Sequence, residues 1–232
     1  MDEVIMTIYI SRICLILFTT ALFGFSVFSQ EIKISENDLK AIISNATSAS
    51  SLLARREKVV TEDFRDRALP VSDVMIFTGT FLPPDKSQTF FSHESRKDKS
   101  VYETITIGND VFEKTKDVPW KRRTAEGLPE PPPPPMKAMV RAAVDDRVSV
   151  IKKSNILLDK SQTDFYEMER ITTRISKNGS QTRNDVNRYW INKNGTLAKS
   201  QTDTFESNSP RLYRRTVVYA YDPKIKIKAP IK

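Results

Sequence analysis

The chain has 232 residues, 39% of them hydrophobic and 28% charged, which is the balance of an ordinary globular protein with enough length to bury a substantial core. Six glycines against thirteen prolines, with no GxGxxG and no GxxxxGK[ST], argue against loops that cradle phosphates. The formal charge of +8 would suit nucleic acid or an anionic membrane, but Lys and Arg are spread along the sequence and the longest basic run is Lys121-Arg122-Arg123, so no nucleic-acid partner is expected.

Ile13 to Phe28 is an uninterrupted uncharged run of 16 residues preceded by Arg12. A membrane-spanning helix needs about 20 apolar residues, so the run reads as the core of a signal peptide over residues 1–29, cut after Ser29. An uncleaved anchor is the rival reading. Cys14, the one cysteine, lies inside this leader and leaves the exported chain without thiol or disulfide. The expected location is the periplasm or cell envelope.

The remainder, residues 30–232, reads as one domain. From Ser35 the spacing is helical: SEND resembles a capping box, and Leu39, Ile42, Ile43, Ala46, Ala49 and Leu53 fall on one face. The small residues of NATSASS permit close approach to whatever the helix covers. After Pro70 the period becomes alternating, in VMIFTGTFL, KSQTFFSHE, VYETITIG and VFEKTKDVPW. In VYETITIG, Val101, Glu103, Ile105 and Ile107 share a face opposite Tyr102, Thr104 and Thr106. EGLPEPPPPP (126–135) interrupts the sheet as a stiff polyproline II insert, and MKAMVRAAVDDRVSVI predicts a second helix over 136–151. From Asn155 onward strands resume, the first expected as one run, ILLDKSQTDFYEMERITTRIS, up to the turn at KNGS. Two Asn-Gly pairs, in KNGS and KNGT, mark hairpins, and KIKIKAPI closes the chain with alternating Lys and Ile.

KSQT recurs at Lys86, Lys160 and Lys199, with a partial copy in NGSQT. Each complete copy opens or lies within an expected strand and is followed by aromatics, so the repeat reads as the polar end of similar strands. It has no catalytic constellation attached. The sole histidine, His93, sits in FFSHES, where neighbours on a strand point to opposite faces, so Ser-His-Glu makes no triad. Glu167 and Glu169 share a strand face and read as a solvated pair. The chain is expected not to be an enzyme, and neither a cofactor nor a metal is expected.

LPPDKSQTFF, ETITIGNDVFEKTKDVPW, RYWINKNGTLAKSQT and YAYDPKIKIKAPI, in this order after an amphipathic helix, resemble the LolA-like family of periplasmic lipoprotein carriers. The resemblance covers roughly 35–125 and 155–232, with Asn192 where an aspartate is usual after the Trp. It implies an α+β fold, a curved antiparallel sheet or incomplete barrel packed against amphipathic helices, which holds an acyl chain or lipoprotein lipid. Ile42, Ile43, Ala46 and Leu53 on the helix, with Phe77, Ile105, Ile107, Trp120, Trp190 and Val218 on strands, are the expected lining. An envelope or membrane-surface partner would receive the cargo. The alternative is a non-enzymatic interaction or structural module whose core is filled.

Overall fold

The structure is a computed structural model that describes residues 31–64, 73–93, 101–124, 145–176, 179–206 and 211–231. The expected signal peptide, the Pro-rich insert and residues 136–144 of the expected second helix lie outside the described residues.

Among the described residues, twelve strands form one antiparallel sheet: β1 (Glu31–Lys33), β2 (Arg55–Asp63), β3 (Asp73–Leu82), β4 (Lys86–His93), β5 (Val101–Ile107), β6 (Asp110–Thr115), β7 (Val118–Thr124), β8 (Asp145–Leu158), β9 (Ser161–Ser176), β10 (Gly179–Asn192), β11 (Leu197–Glu206) and β12 (Arg211–Tyr221). Their order is β1-β8-β9-β10-β11-β12-β2-β3-β4-β5-β6-β7. Two meanders, β2–β7 and β8–β12, are thus joined where β12 pairs with β2. The sheet is open, with β1 and β7 at its ends.

One helix, α1 (Glu36–Ser51), is present among the described residues. Ser35 caps it, accepting from the Asp38 N–H at 3.1 Å, which is worth about 1 kcal/mol. The expected capping box is only half formed, because the Asp38 carboxylate accepts from the Ser35 hydroxyl instead of reaching its backbone N–H. The helix ends before Leu53, which lies in the following turn and is 40% exposed.

The hairpins form where the Asn-Gly pairs predict them, with Gly179 and Gly195 at positive φ. Two expectations are corrected. Residues 145–151 are not helical: Val148 fits the helical spacing from Val144 as well as the alternation with Val150, and the long β9 supplies the ladder that decides between them. The run from Asn155 is not one strand but the end of β8 and all of β9, joined by Asp159-Lys160 with φ of 46° and 71°, the two-residue geometry that matches strand twist. A bulge precedes it at Ser154-Asn155, with Asn155 at φ 58°.

Register shows that the two faces of the sheet are covered at different places. On the face beneath α1, Leu39 and Ala46 pack on Val150, Tyr166, Ile191 and Leu197, from β8–β11, and Tyr219 of β12 joins them. Leu39 and Ala46 are each 2% exposed, so this interior is close-packed. The second cluster, Ile105 and Phe112 with Leu82, Ile107 and Trp120, belongs to β3 and β5–β7. Cross-strand pairing carries the α1 face from Tyr219 through Glu57 and Gly79 to Thr89 and Thr104, which places Ile105 and Phe112 on the opposite face. Ile225 and Ile227 cover that cluster. KIKIKAPI therefore alternates as expected, with Ile buried and Lys exposed, but it crosses the sheet as an extended tail and adds no strand.

Candidate functional site

The α1 face continues beyond the helix. Val217, Val59, Phe77 and Phe91 stand directly opposite one another across β12, β2, β3 and β4, an in-register apolar row. Strand spacing makes this row about 14 Å long. Val217 and Val59 are buried, Phe77 and Phe91 are half-buried, and none of the four belongs to the cluster under α1. One residue pair along, Gly79 lies between Phe77 and Phe81. A Cβ on Gly79 would stand 2.7 Å from Cζ of Phe81 and 3.2 Å from Cε1 of Phe77, so the rings close over the bare backbone. Met75 is two residues along β3 on the other side, opposite His93.

The C-terminus of α1 borders this shelf. Arg55 lies over the Phe81 ring at 4.6 Å, donates to Glu57 at 2.7 Å, and reaches the carbonyls of Ser50 and Ser51 at 3.4 Å. Its guanidinium thus meets the negative end of the helix dipole and an aromatic face together. A cavity of about 410 Å³ opens at the same corner, lined by Ser51, Arg55, Phe81, Pro83 and Asp85 among others.

At the other end of the α1 face the surface is polar. Arg170, bound to Asp146 at 2.8 Å and near Glu36 at 3.5 Å, shares a cavity of about 460 Å³ with Arg174, Arg183 and Asp185. Arg183 and Glu206 also line the adjoining one of about 500 Å³. The Arg170 guanidinium holds the Asp146 carboxyl below its ordinary range by hydrogen bonding. Burial pushes the phenols of Tyr189, Tyr219 and Tyr221 upward, so all three are neutral hydroxyls under this face.

The ten expected lining residues are divided by this arrangement. Ile42, Ile43 and Ala46 pack beneath α1, and Phe77 stands on the same face beyond it. Ile105, Ile107 and Trp120 are on the opposite face under the tail. Trp190 is also on that opposite face, 5.1 Å from Phe165 with Lys199 over it at 4.9 Å, and Val218 is 41% exposed there. Phe91, Phe81, Met75 and Val59 were missed. The signal for Met75, Phe81 and Phe91 is the alternation of VMIFTGTFL and KSQTFFSHE, and for Val59 that of RREKVVTED, but these become a site only once the register aligns the strands.

The carboxylates considered for chemistry are held in cross-strand pairs. Glu167 accepts from Arg188 at 2.6 Å, Glu169 from Asn184 at 2.7 Å, and Asp164 from Lys193 at 2.6 Å. His93 is less exposed than a strand-end residue would suggest. Its ring meets Phe91 edge-on, and Nδ1 is 3.5 Å from Asp73.

No family model matches the sequence, and no curated protein matches it. Among solved structures, the chain is similar to LprF from Mycobacterium bovis, at 12% identity over 85% of this chain and 99% of that one, with a TM-score of 0.43. It is also similar to a domain from Vibrio parahaemolyticus described as an outer membrane lipoprotein-sorting protein, at 10% identity over 80% of this chain and 93% of that one, with a TM-score of 0.29. The second is described by the function of the family that the sequence motifs resemble. What this chain binds is argued from its own residues.

Proposed function

We propose that the protein is an exported, non-enzymatic binding protein that holds an acyl chain, of a lipid or a lipoprotein, along the α1 face of β12, β2, β3 and β4. The observation that carries this reading is the apolar row Val217–Val59–Phe77–Phe91, which extends past the cluster covered by the helix. Burying each methylene of a chain is worth about 0.8 kcal/mol, so a 14–16 carbon chain offers roughly 11–13 kcal/mol before ordering costs. The close packing of Leu39 and Ala46 favours a site beside α1 over one beneath it. The shelf needs no acid or base, and Arg55 at its edge is suited to an anionic or carbonyl end of the ligand.

Native mass spectrometry of protein from its native host, with titration of a fluorescent fatty acid, tests the reading. Co-purified lipid and saturable uptake, lost in Phe77→Asp and Phe91→Asp, are expected. A bare polypeptide without uptake would favour a filled interaction module, the second reading, which the close packing under α1 supports.

A further inference from the structure

The sequence spreads its basic residues, but the folded chain gathers a set of them on the face away from α1. The tail is tied down at its start, where the Asp222 N–H donates to the Ala54 carbonyl at 3.2 Å and the Asp222 carboxylate accepts from the Lys224 N–H at 2.9 Å. Burial of Ile225 and Ile227 on Ile105 and Phe112 then fixes the direction of the alternation. Lys224, Lys226 and Lys228 must point to solvent.

The sheet adds bases around them. Register aligns Arg56, Thr80, Gln88, Ile105 and Phe112 in one row, and Lys58, Thr78, Phe90, Glu103 and Lys114 in the next. Arg56, Lys58 and Lys114 are exposed on the face that the tail crosses. None of these six cations has a carboxylate partner among the described residues. The acids of the same face nearest to them are engaged, Asp110 by Arg122 at 2.9 Å, Glu103 by Gln88 at 2.9 Å and Asp222 by the tail backbone, and Glu62 lies further along β2, opposite Arg214. Exposed Val218, directly opposite Lys58 on β12, and exposed Ile231 at the end of the tail stand with them.

We propose that this face docks on a bilayer that carries anionic lipid. Lysine ammonium groups on long stems, carried by an extended segment lying on the sheet, are point charges without the fixed forks that select one carboxylate on a protein surface. Such an array suits a diffuse negative surface, and the adjacent apolar side chains suit shallow insertion. The inference does not depend on acyl binding, because the two surfaces are opposite faces of the sheet.

The test is co-sedimentation of the exported chain with vesicles of phosphatidylcholine, with and without phosphatidylglycerol. Binding to the anionic vesicles alone, weakened by salt, is expected. Each lysine near such a surface is worth about fivefold, so Lys224→Gln, Lys226→Gln and Lys228→Gln together should weaken binding on the order of a hundredfold. A control that removes the same charge elsewhere, Lys121→Gln with Lys40→Gln and Lys160→Gln, should retain most of the binding, and replacing the three tail lysines by Arg should restore it. Equal binding to both vesicle types, binding to neither, or equal loss in the control would overturn the proposal. Thermal melts of every variant separate loss of binding from loss of fold.

Discussion

Ser50 is the least conspicuous residue of NATSASS and the one with the most to lose. It is buried at the end of α1, where its hydroxyl donates to the Ala46 carbonyl at 2.7 Å and accepts from the Leu197 N–H at 2.9 Å. The Tyr221 hydroxyl lies 2.8 Å from Ser50 Oγ and 2.7 Å from the Leu197 carbonyl. One hydroxyl thus joins the helix to β11 and β12. Ser50→Ala leaves the Leu197 N–H buried without its acceptor, a cost of about 1–3 kcal/mol. Alanine returns up to about 0.5 kcal/mol as the better helix former, so the net loss is about 1–2 kcal/mol. For a chain of this size that lowers Tm by roughly 2–8 °C. Tyr221→Phe should cost less, because it strands no buried donor and leaves Ser50 in place. Urea unfolding of residues 30–232, followed by tryptophan fluorescence, measures both. A Ser50→Ala variant as stable as the parent, or a larger loss in Tyr221→Phe, would refute the assigned junction.

Three further perturbations test other parts of the fold. Asp146 and Asp145 are held below the ordinary carboxylate range by hydrogen bonds from Arg170 and Arg147, and Glu36 by its hydrogen bond from Lys40. Depressed folded-state values contribute stability above the unfolded range, and that contribution is lost as pH falls through them. Tm should therefore hold from pH 7 to about 5 and decline below about 4, with a shallower decline in Arg170→Met. Ile227→Ala should cost about 2–4 kcal/mol and speed tryptic cleavage at Lys224, Lys226 and Lys228, since it loosens the tail from Phe112. Asp203, 1% exposed, accepts from Arg188 at 2.7 Å, Arg214 at 2.8 Å and Gln201 at 2.9 Å. Asp203→Ala leaves Arg214 without its carboxylate and Arg188 with Glu167 alone, and should cost about 3 kcal/mol in the same urea assay.

Local chemistry was legible wherever a few adjacent residues decide the outcome. Asn-Gly fixed two hairpins, Ser35 fixed the start of α1, and the alternation of VYETITIG gave both its faces. Where two periods fit equally, as at Val148 with Val144 four residues before it and Val150 two after, the choice fell to β9, a partner that no local pattern reveals. The site suffered from the same limit. Alternation states which residues of one strand share a face, but joining the faces of successive strands requires the register between them, and one residue of slip inverts the answer. Ile105 and Phe77 looked equivalent as apolar strand residues, yet pairing through Gly79, Thr89 and Thr104 sends them to opposite sides of the sheet. The tail shows the converse. Its Lys-Ile alternation was visible, but only the landing of Ile225 and Ile227 on Ile105 and Phe112 turns three ordinary lysines into a directed surface beside Arg56, Lys58 and Lys114. Charge that reads as scattered along a chain can thus be concentrated by a single crossing segment, because the burial of two isoleucines decides where the lysines between them must point.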